Sequence, residues 1–176
     1  MKLYVTRHGE TELNAAGRVS GLDDVPLTGR GRAQAEALAR AAQGKGIDLV
    51  ITSPLRRARE TAETVATALG VPLETEPCLR ELDYGSYDRA PIDLPEFRRI
   101  KRLFAWRMGG GESILDVAAR VYPFLDRLRE RCPDRAVLLV CHGTVCRVIH
   151  SYFRDLTNEE FWASIPDNCQ LRAYEW

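Results

Sequence analysis

Three histidines occur in the chain, and two of them stand in matching places. His8 ends a short run, Leu3-Tyr4-Val5-Thr6-Arg7, and precedes Gly9; His142 follows the apolar run Ala136-Val137-Leu138-Leu139-Val140-Cys141 and precedes Gly143. A third run, Ile47 to Thr52, delivers Ser53-Pro54-Leu55-Arg56-Arg57. If these runs are neighbouring strands, Arg7, His8, Arg56, Arg57 and His142 converge at one sheet edge although they are distant in sequence. Guanidinium groups hold phosphate or carboxylate oxygens bidentately and keep their proton at neutral pH. A neutral imidazole beside the anion they hold can act as a nucleophile. Phosphoryl transfer further needs an acid to protonate the leaving oxygen, which arginine cannot supply. A carboxyl group in a crowded site can do so when its pKa is raised. Glu81, in Leu79-Arg80-Glu81-Leu82-Asp83-Tyr84-Gly85, is the best-placed candidate, with Asp83 and Glu10 behind it.

The elements that must position these groups alternate between strand and helix periods. Lys2 to Thr6 reads as a first strand. Thr28 caps a helix with Ala35, Leu38, Ala39 and Ala42 on one face, ended by Gly44 and Gly46. Ile47 to Thr52 is a second strand. Ser53-Pro54 then has the order of a cap residue followed by proline at the first helical position. The helix behind it repeats Ala58, Ala62, Val65, Ala66 and Leu69 and stops at Gly70. Val71 to Glu76 is a third strand. Ser113 with Asp116 forms a capping box before Ile114, Val117, Val121, Phe124, Leu125 and Leu128, a helix in which Pro123 predicts a kink. Ala136 to Cys141 reads as a strand buried on both faces of a parallel sheet. Thr144 to Arg154 is helical. Thr157-Asn158-Glu159-Glu160 is a further capping box, and Gln170 to Glu175 a last strand. The pattern predicts one three-layer α/β/α domain over residues 1–176 with a mostly parallel central sheet. Residues 80–111, irregular and rich in Pro and Gly, would be a helical, substrate-covering insertion over one edge. Ligands of such sheets bind at the carboxyl ends of the strands, where helix N-termini add backbone donors for an anion.

Length and composition bound the alternatives. A chain of 176 residues buries roughly 70% of the surface exposed by its unfolded form. Basic and acidic residues balance at 25 each and 45% of positions are hydrophobic, which excludes a disordered tail and a polybasic nucleic-acid arm. No apolar run reaches the roughly 18 residues needed to span a bilayer, and Met1 to Thr6 is too short for a signal peptide's apolar region. A cytoplasmic location is expected. The five cysteines are odd in number and lack the spacing of zinc or thioredoxin-type sites, so reduced thiols are expected. The expected partner is a small phosphorylated metabolite, with no nucleic acid and no membrane, and the assembly a monomer or homodimer.

With those residues in view, the chain resembles the histidine phosphatase superfamily, which includes cofactor-dependent phosphoglycerate mutases. The resemblance rests on Arg7-His8-Gly9-Glu10-Thr11-Glu12 with Asn14, then Asp24-Val25-Pro26-Leu27-Thr28. It continues in Ser53-Pro54-Leu55-Arg56-Arg57-Ala58 with Thr61-Ala62, in Gly111-Glu112-Ser113 and in His142-Gly143. It implies that His8 attacks phosphorus and carries a phosphohistidine. Arg7 and Arg57 would hold the phosphoryl oxygens, Arg57 being the arginine that directly precedes Ala58. His142 would stabilise transition-state charge, and Glu81 would protonate the leaving group and then activate water. Asn14, Ser20, Gly21 and Gly143 would line the phosphate and substrate site. No metal and no cofactor is implied, in keeping with two arginines that would repel a cation.

The chain departs from the family pattern at Leu13, where Trp is usual, at Ser20, where Gln is usual, and at Tyr87-Asp88-Arg89, where Trp-Glu-Gly is common. These positions surround the substrate and leave the reaction class intact. The shortness of the chain favours hydrolysis over transfer, since the mutases carry extra length that helps retain the intermediate. The expected activity is therefore a metal-independent phosphomonoesterase, against a mutase, a non-catalytic phosphate-binding module or a metal hydrolase using His8, His142 and Glu81. His150 lies off the apolar stripe and reads as structural or exposed. Arg98-Arg99-Ile100-Lys101-Arg102 reads as the wet face of an amphipathic helix, or as a patch steering a polyanionic substrate.

Overall fold

The computed structural model describes residues 1–176. Five strands form, β1 (Lys2–Arg7), β2 (Leu49–Thr52), β3 (Leu73–Thr75), β4 (Ala136–Cys141) and β5 (Leu171–Glu175), in the order β3-β2-β4-β1-β5. The most continuous apolar run, β4, takes the middle of the sheet, because only there are both faces covered. The first four strands are parallel and β5 returns antiparallel beside β1. Alternate residues of β4 feed opposite sides. Val137, Leu139 and Cys141 join a cluster with Leu3, Val5, Val121, Leu125 and Val148, whereas Leu138 and Val140 join Tyr4, Leu38, Ala62 and Val65. Truncating a leucine so buried, as at Leu138 or Leu139, costs about 2–5 kcal/mol.

The helices α1 (Glu12–Ala15), α2 (Gly29–Ala42) and α3 (Arg56–Leu69) precede β3. They are followed by α4 (Pro95–Ile100), α5 (Ile114–Arg131), α6 (Gly143–Phe153) and α7 (Asn158–Ala163). Small residues on α2 and α3 bring the two helices onto one face of the sheet, while α5 and α6 cover the other. Thr28 caps α2 by accepting the Gly31 N–H at 3.0 Å. The capping boxes of α5 and α7 form as their sequences predict, and α5 runs through Pro123 as a single element. Gly70 ends α3 in the left-handed conformation, φ 67°, which glycine adopts without a Cβ clash.

One local expectation is overturned. Ser53 does not cap α3: that helix begins at Arg56, with Leu55 before it and no side-chain cap from its own segment. Instead, Ser53 Oγ accepts the Leu55 N–H at 3.2 Å and faces His142, while Asp24 Oδ1 accepts the Arg56 N–H at 2.5 Å. The cap is supplied from a distant loop, and Ser53 is engaged with His142 instead.

The segment 80–111 carries α4 and two 3-10 turns, Gly85–Tyr87 and Met108–Gly110. The two turns pack so closely that a Cβ on Gly85 would collide with the Gly109 carbonyl. Leu79, Leu82, Phe97, Ile100 and Met108 are all buried, which anchors this irregular stretch over the carboxyl ends of the strands.

Candidate active site

Strand register brings the two histidines together. Arg7 of β1 pairs with Cys141 of β4, and Thr52 of β2 pairs with Val140. The next residues, His8, His142 and Ser53, therefore leave the sheet side by side. The His8 and His142 ring centroids are 5.1 Å apart, tilted by 58°. His8 Nδ1 lies 2.7 Å from the Gly9 carbonyl, which can only accept, so this nitrogen carries the proton. Nε2 then holds a free lone pair, and it accepts from Arg57 Nε at 3.2 Å. The two contacts fix the same tautomer. Burial, then the charges of Arg57 and Arg7, hold the His8 pKa well below the usual histidine value. The ring is therefore neutral at pH 7.

Burial, Arg57 and His8 depress His142 in the same way. Its Nε2 lies 2.7 Å from Ser53 Oγ, and its Nδ1 is buried without a partner. Ser53 Oγ also accepts the Leu55 N–H at 3.2 Å, and where its hydroxyl proton goes to His142 Nε2, the ring proton sits on Nδ1. Nδ1 is then an unsatisfied N–H beside His8, a donor awaiting an oxygen.

Arg57 is fully buried under His8. Its guanidinium donates to Asp23 O and Gly21 O, both at 2.7 Å, and reaches Ser20 O at 3.4 Å. The amides of this same loop are held from the other side: Asp88 accepts from the N–H groups of Gly21, Leu22 and Asp23 at 2.6, 3.1 and 3.4 Å. The loop is thus clamped between a cation on its carbonyls and an anion on its amides. Arg7 instead faces a cavity of about 100 Å³, and its Nε is buried and unpaired.

Glu81 sits at the rim of that cavity, 5% exposed. Its Oε1 accepts the Leu82 N–H at 2.9 Å, and its Oε2 accepts the Thr144 N–H at 3.2 Å, in the first turn of α6. A Cβ on Gly143 would lie 2.9 Å from Ile165 Cδ1, so the glycine makes room for that side chain, while Glu81 Oε2, at 3.8 Å from the same point, is in ordinary contact range. Glu112 and Arg120 hold the backbone behind it. Arg120 donates to the carbonyls of Cys78 and Glu81, and Glu112 accepts from Arg80, Arg120 and the Asp83 N–H.

The arrangement is a neutral nucleophilic imidazole, a second imidazole and two arginines around one small volume, with a carboxylate across from them. A sequence model of the histidine phosphatase superfamily (branch 1) matches residues 3–176. The chain belongs to the histidine phosphatase superfamily. Among curated relatives, the probable phosphoglycerate mutase GpmB of Yersinia pestis is 37% identical over 150 residues, 81% of this chain and 70% of that protein. The structure of mycobacterial glucosyl-3-phosphoglycerate phosphatase in complex with VO3 matches with a TM-score of 0.87 and 30% identity, covering 98% of this chain and 90% of that one. A putative alpha-ribazole-5'-P phosphatase from Escherichia coli matches with a TM-score of 0.85 and 29% identity, over 98% and 89% of the two chains.

In this member of the superfamily the expected residues divide between floor and wall. Arg7, His8, Asn14, Ser20, Glu81 and Gly143 line the cavity. Arg57 and His142 lie beneath it, and Gly21 is buried in the clamped loop, where its carbonyl serves Arg57. Asn14 spends its side-chain oxygen on the Thr11 N–H at 3.2 Å, which leaves its amide N–H groups for the cavity. Arg56 is turned away, paired with Glu60 at 2.6 Å on the surface. His150 bonds Tyr174 at 3.0 Å and takes no part in the site.

Sequence reasoning missed three groups. Arg147 stands four residues after Gly143, a helical spacing that puts it on the same face of α6, and this spacing was the available signal. Lys101 was hidden in a basic run: Arg98, Arg99 and Arg102 are exposed as a wet face, whereas Lys101 turns into the cavity. Trp162 carried no signal, as it arrives from α7 by tertiary packing alone.

Proposed function

We propose that this histidine phosphatase is a metal-independent phosphomonoesterase that hydrolyses a small phosphorylated metabolite through a phosphohistidine on His8. The observation that carries this reading is the His8 tautomer: Nδ1 tied to Gly9 O at 2.7 Å and the Nε2 lone pair left facing Arg57 at 3.2 Å.

In the first step the Nε2 lone pair forms the N–P bond while the ester P–O bond breaks. The Gly9 carbonyl stabilises the positive charge that develops on the ring. The Arg57 Nε–H, no longer needed by Nε2, turns to a phosphoryl oxygen, joined by Arg7 and the free His142 Nδ1–H. Such donors are effective because they are fixed before the charge develops. Glu81 supplies the proton that the leaving oxygen takes up, and the alcohol departs. In the second step the Glu81 carboxylate takes a proton from water, whose oxygen attacks phosphorus. The N–P bond breaks, inorganic phosphate leaves and His8 returns to its neutral tautomer. Two guanidinium charges occupy the place a metal ion would take in this scheme, so phosphoryl charge is balanced without one.

Hydrolysis accords with the two solved relatives named as phosphatases. Transfer is favoured only by the name of the relative called a probable phosphoglycerate mutase, and product analysis with phosphoglycerate separates the two. The reading as a whole is tested with an aryl phosphate in excess chelator. Stoichiometric release of inorganic phosphate, undiminished by chelation and lost in His8→Ala with the fold retained, is the expected result. A strict metal requirement, or full activity of His8→Ala, overturns it.

A further inference from the structure

The strand ladder that carries the site stops one residue short of the nucleophile. β1 ends at Arg7, and past it the polar groups of the backbone need other partners. The His8 N–H still reaches the Cys141 carbonyl at 3.0 Å. The next peptide, which joins His8 to Gly9, is held by two side chains from distant segments. Asn168 Nδ2 donates to its carbonyl, His8 O, at 2.7 Å, and its amide, the Gly9 N–H, donates to Thr61 Oγ1 at 3.1 Å. Partners 160 and 52 residues away thus pin the two ends of one rigid plane.

Each partner is itself fixed. Thr61 is fully buried on α3, and its hydroxyl proton goes to Arg57 O at 2.8 Å, so a lone pair is left for Gly9. Thr61 stands one turn after Arg57, on the same face of α3. The helix therefore meets His8 twice, at ring Nε2 through Arg57 and at the backbone through Thr61. Asn168 is presented by a turn in which Cys169 takes φ 60°, a left-handed conformation that is costly for a residue with a Cβ. The Cys169 N–H donates to Arg7 O at 2.9 Å, which seats that turn beside β1. On the remaining side α2 closes in, for a Cβ on Gly9 would lie 2.4 Å from the Gly31 carbonyl. Neither Thr61 nor Asn168 lines the cavity, so both can act on the reaction only through the peptide they hold.

That peptide sets where the Gly9 carbonyl points, and Gly9 O is the acceptor that keeps the proton on His8 Nδ1. If the plane turns, the acceptor swings away from the ring. The proton is then free to move to Nε2, and a ring protonated there has no lone pair for phosphorus. We propose that Thr61 and Asn168 are positioning residues that clamp the His8–Gly9 peptide from both ends and thereby hold the attacking lone pair on Nε2. This inference rests on the phosphomonoesterase reading, in which Nε2 forms the bond to phosphorus.

The test uses Thr61→Val, which keeps the shape of the side chain without its oxygen, Thr61→Ser, which keeps the oxygen, Asn168→Ala, and a double variant carrying Thr61→Val with Asn168→Ala. Steady-state rates with an aryl phosphate should show kcat lowered about ten- to hundred-fold in Thr61→Val and in Asn168→Ala. KM should be nearly kept, because Arg7, Arg57 and His142 still surround the phosphoryl group. Thr61→Ser should retain most of the wild-type kcat. The double variant should lose little more than the worse single one, because either change frees the same plane. ¹⁵N NMR of the His8 ring reads the tautomer without turnover: the wild type should carry its proton on Nδ1, and Thr61→Val and Asn168→Ala should show a mixture. Should Thr61→Val fail to fold, Asn168→Ala, at a half-buried position, carries the same two readouts. Loss of kcat with an unchanged His8 tautomer, losses that multiply in the double variant, or full activity of both single variants would overturn the clamp and leave the phosphatase reading intact. A mixed tautomer in the variants of a protein that hydrolyses no phosphate ester would defeat that reading and leave the clamp standing.

Discussion

The floor of the site and its canopy are built on different principles. The floor is His8, His142, Ser53 and Arg57. Three of these follow directly from in-register strand ends, and all four lie under 4% exposed. The canopy is Glu81, Tyr84 and Lys101 from the irregular segment 80–111, with Arg147 of α6 and Trp162 of α7. Backbone pairing fixes the floor to within the tolerance of a sheet ladder. The canopy depends on side-chain networks such as Glu112 with Arg80 and Arg120, and on packing of Phe97 and Met108. On the proposed reading, the step common to all phosphate esters rests on the part fixed by strand pairing, and contact with the alcohol on the part held by side-chain packing.

Substitutions that separate the two regions sharpen the comparison, and the largest effect falls on proton transfer. Glu81→Gln keeps the shape of the canopy and removes the transferable proton. It should slow alkyl phosphates by about 10²–10⁴-fold, and aryl phosphates far less, because a phenolate leaves without protonation. Rates measured across leaving groups of graded pKa check this. Equal losses on both would assign the acid to another residue and erase the division of labour.

A smaller effect is expected at Glu112, whose carboxylate is 15% exposed and meets Arg120 at 3.1 Å. Removing it leaves a largely buried arginine unpaired, so Glu112→Ala should destabilise the protein by about 3 kcal/mol. It should also displace Glu81, raising KM and lowering kcat for alkyl esters while the floor retains aryl phosphate turnover. Denaturant titration and the two assays together test this, and a uniform loss on every substrate would show that canopy and floor are one unit.

The most gradual effect is a pH dependence of the floor. Burial depresses His8 and His142 in the fold, whereas in the unfolded chain they titrate near 6.5. Between that value and their lower folded values the unfolded state binds more protons, so stability falls as the pH drops through this window and is level above it. Each histidine contributes a slope of at most about 1.4 kcal/mol per pH unit. His150 is also lowered by burial, but water reaches it and its share is smaller. Stability curves from pH 7.5 to 5 should steepen below 6.5, and should lose much of that slope in His142→Asn. A flat profile would mean that the floor is not dry.

The same contrast explains what was legible in the sequence. His8, His142 and Arg57 were readable because each follows an apolar run, or lies a fixed distance behind one, and sheet order does the rest. Ser53 was misread as a helix cap because its partner, His142, is 89 residues away, and local propensity gives way to such a contact. The Asp88 clamp on residues 21–23 pairs groups up to 67 residues apart, and its sequence neighbourhood looked only like a departure from the family pattern. Lys101 and Arg147 escaped because a basic residue in a helix is ordinarily solvated, and only the packing of Trp162 and Phe97 turns these two inward. The three-layer fold, by contrast, was written in the alternation of strand and helix periods, down to the two capping boxes.

The central claim is covalent chemistry at His8 Nε2. Rapid-quench labelling with a ³²P-labelled ester, using Glu81→Gln to slow release of the intermediate and alkaline peptide mapping to preserve it, reads that bond directly. Acid-labile label is expected on the peptide containing His8, formed in the first turnover and missing from His8→Ala. Label on another residue, or turnover without any covalent label while phosphate is released, would contradict it.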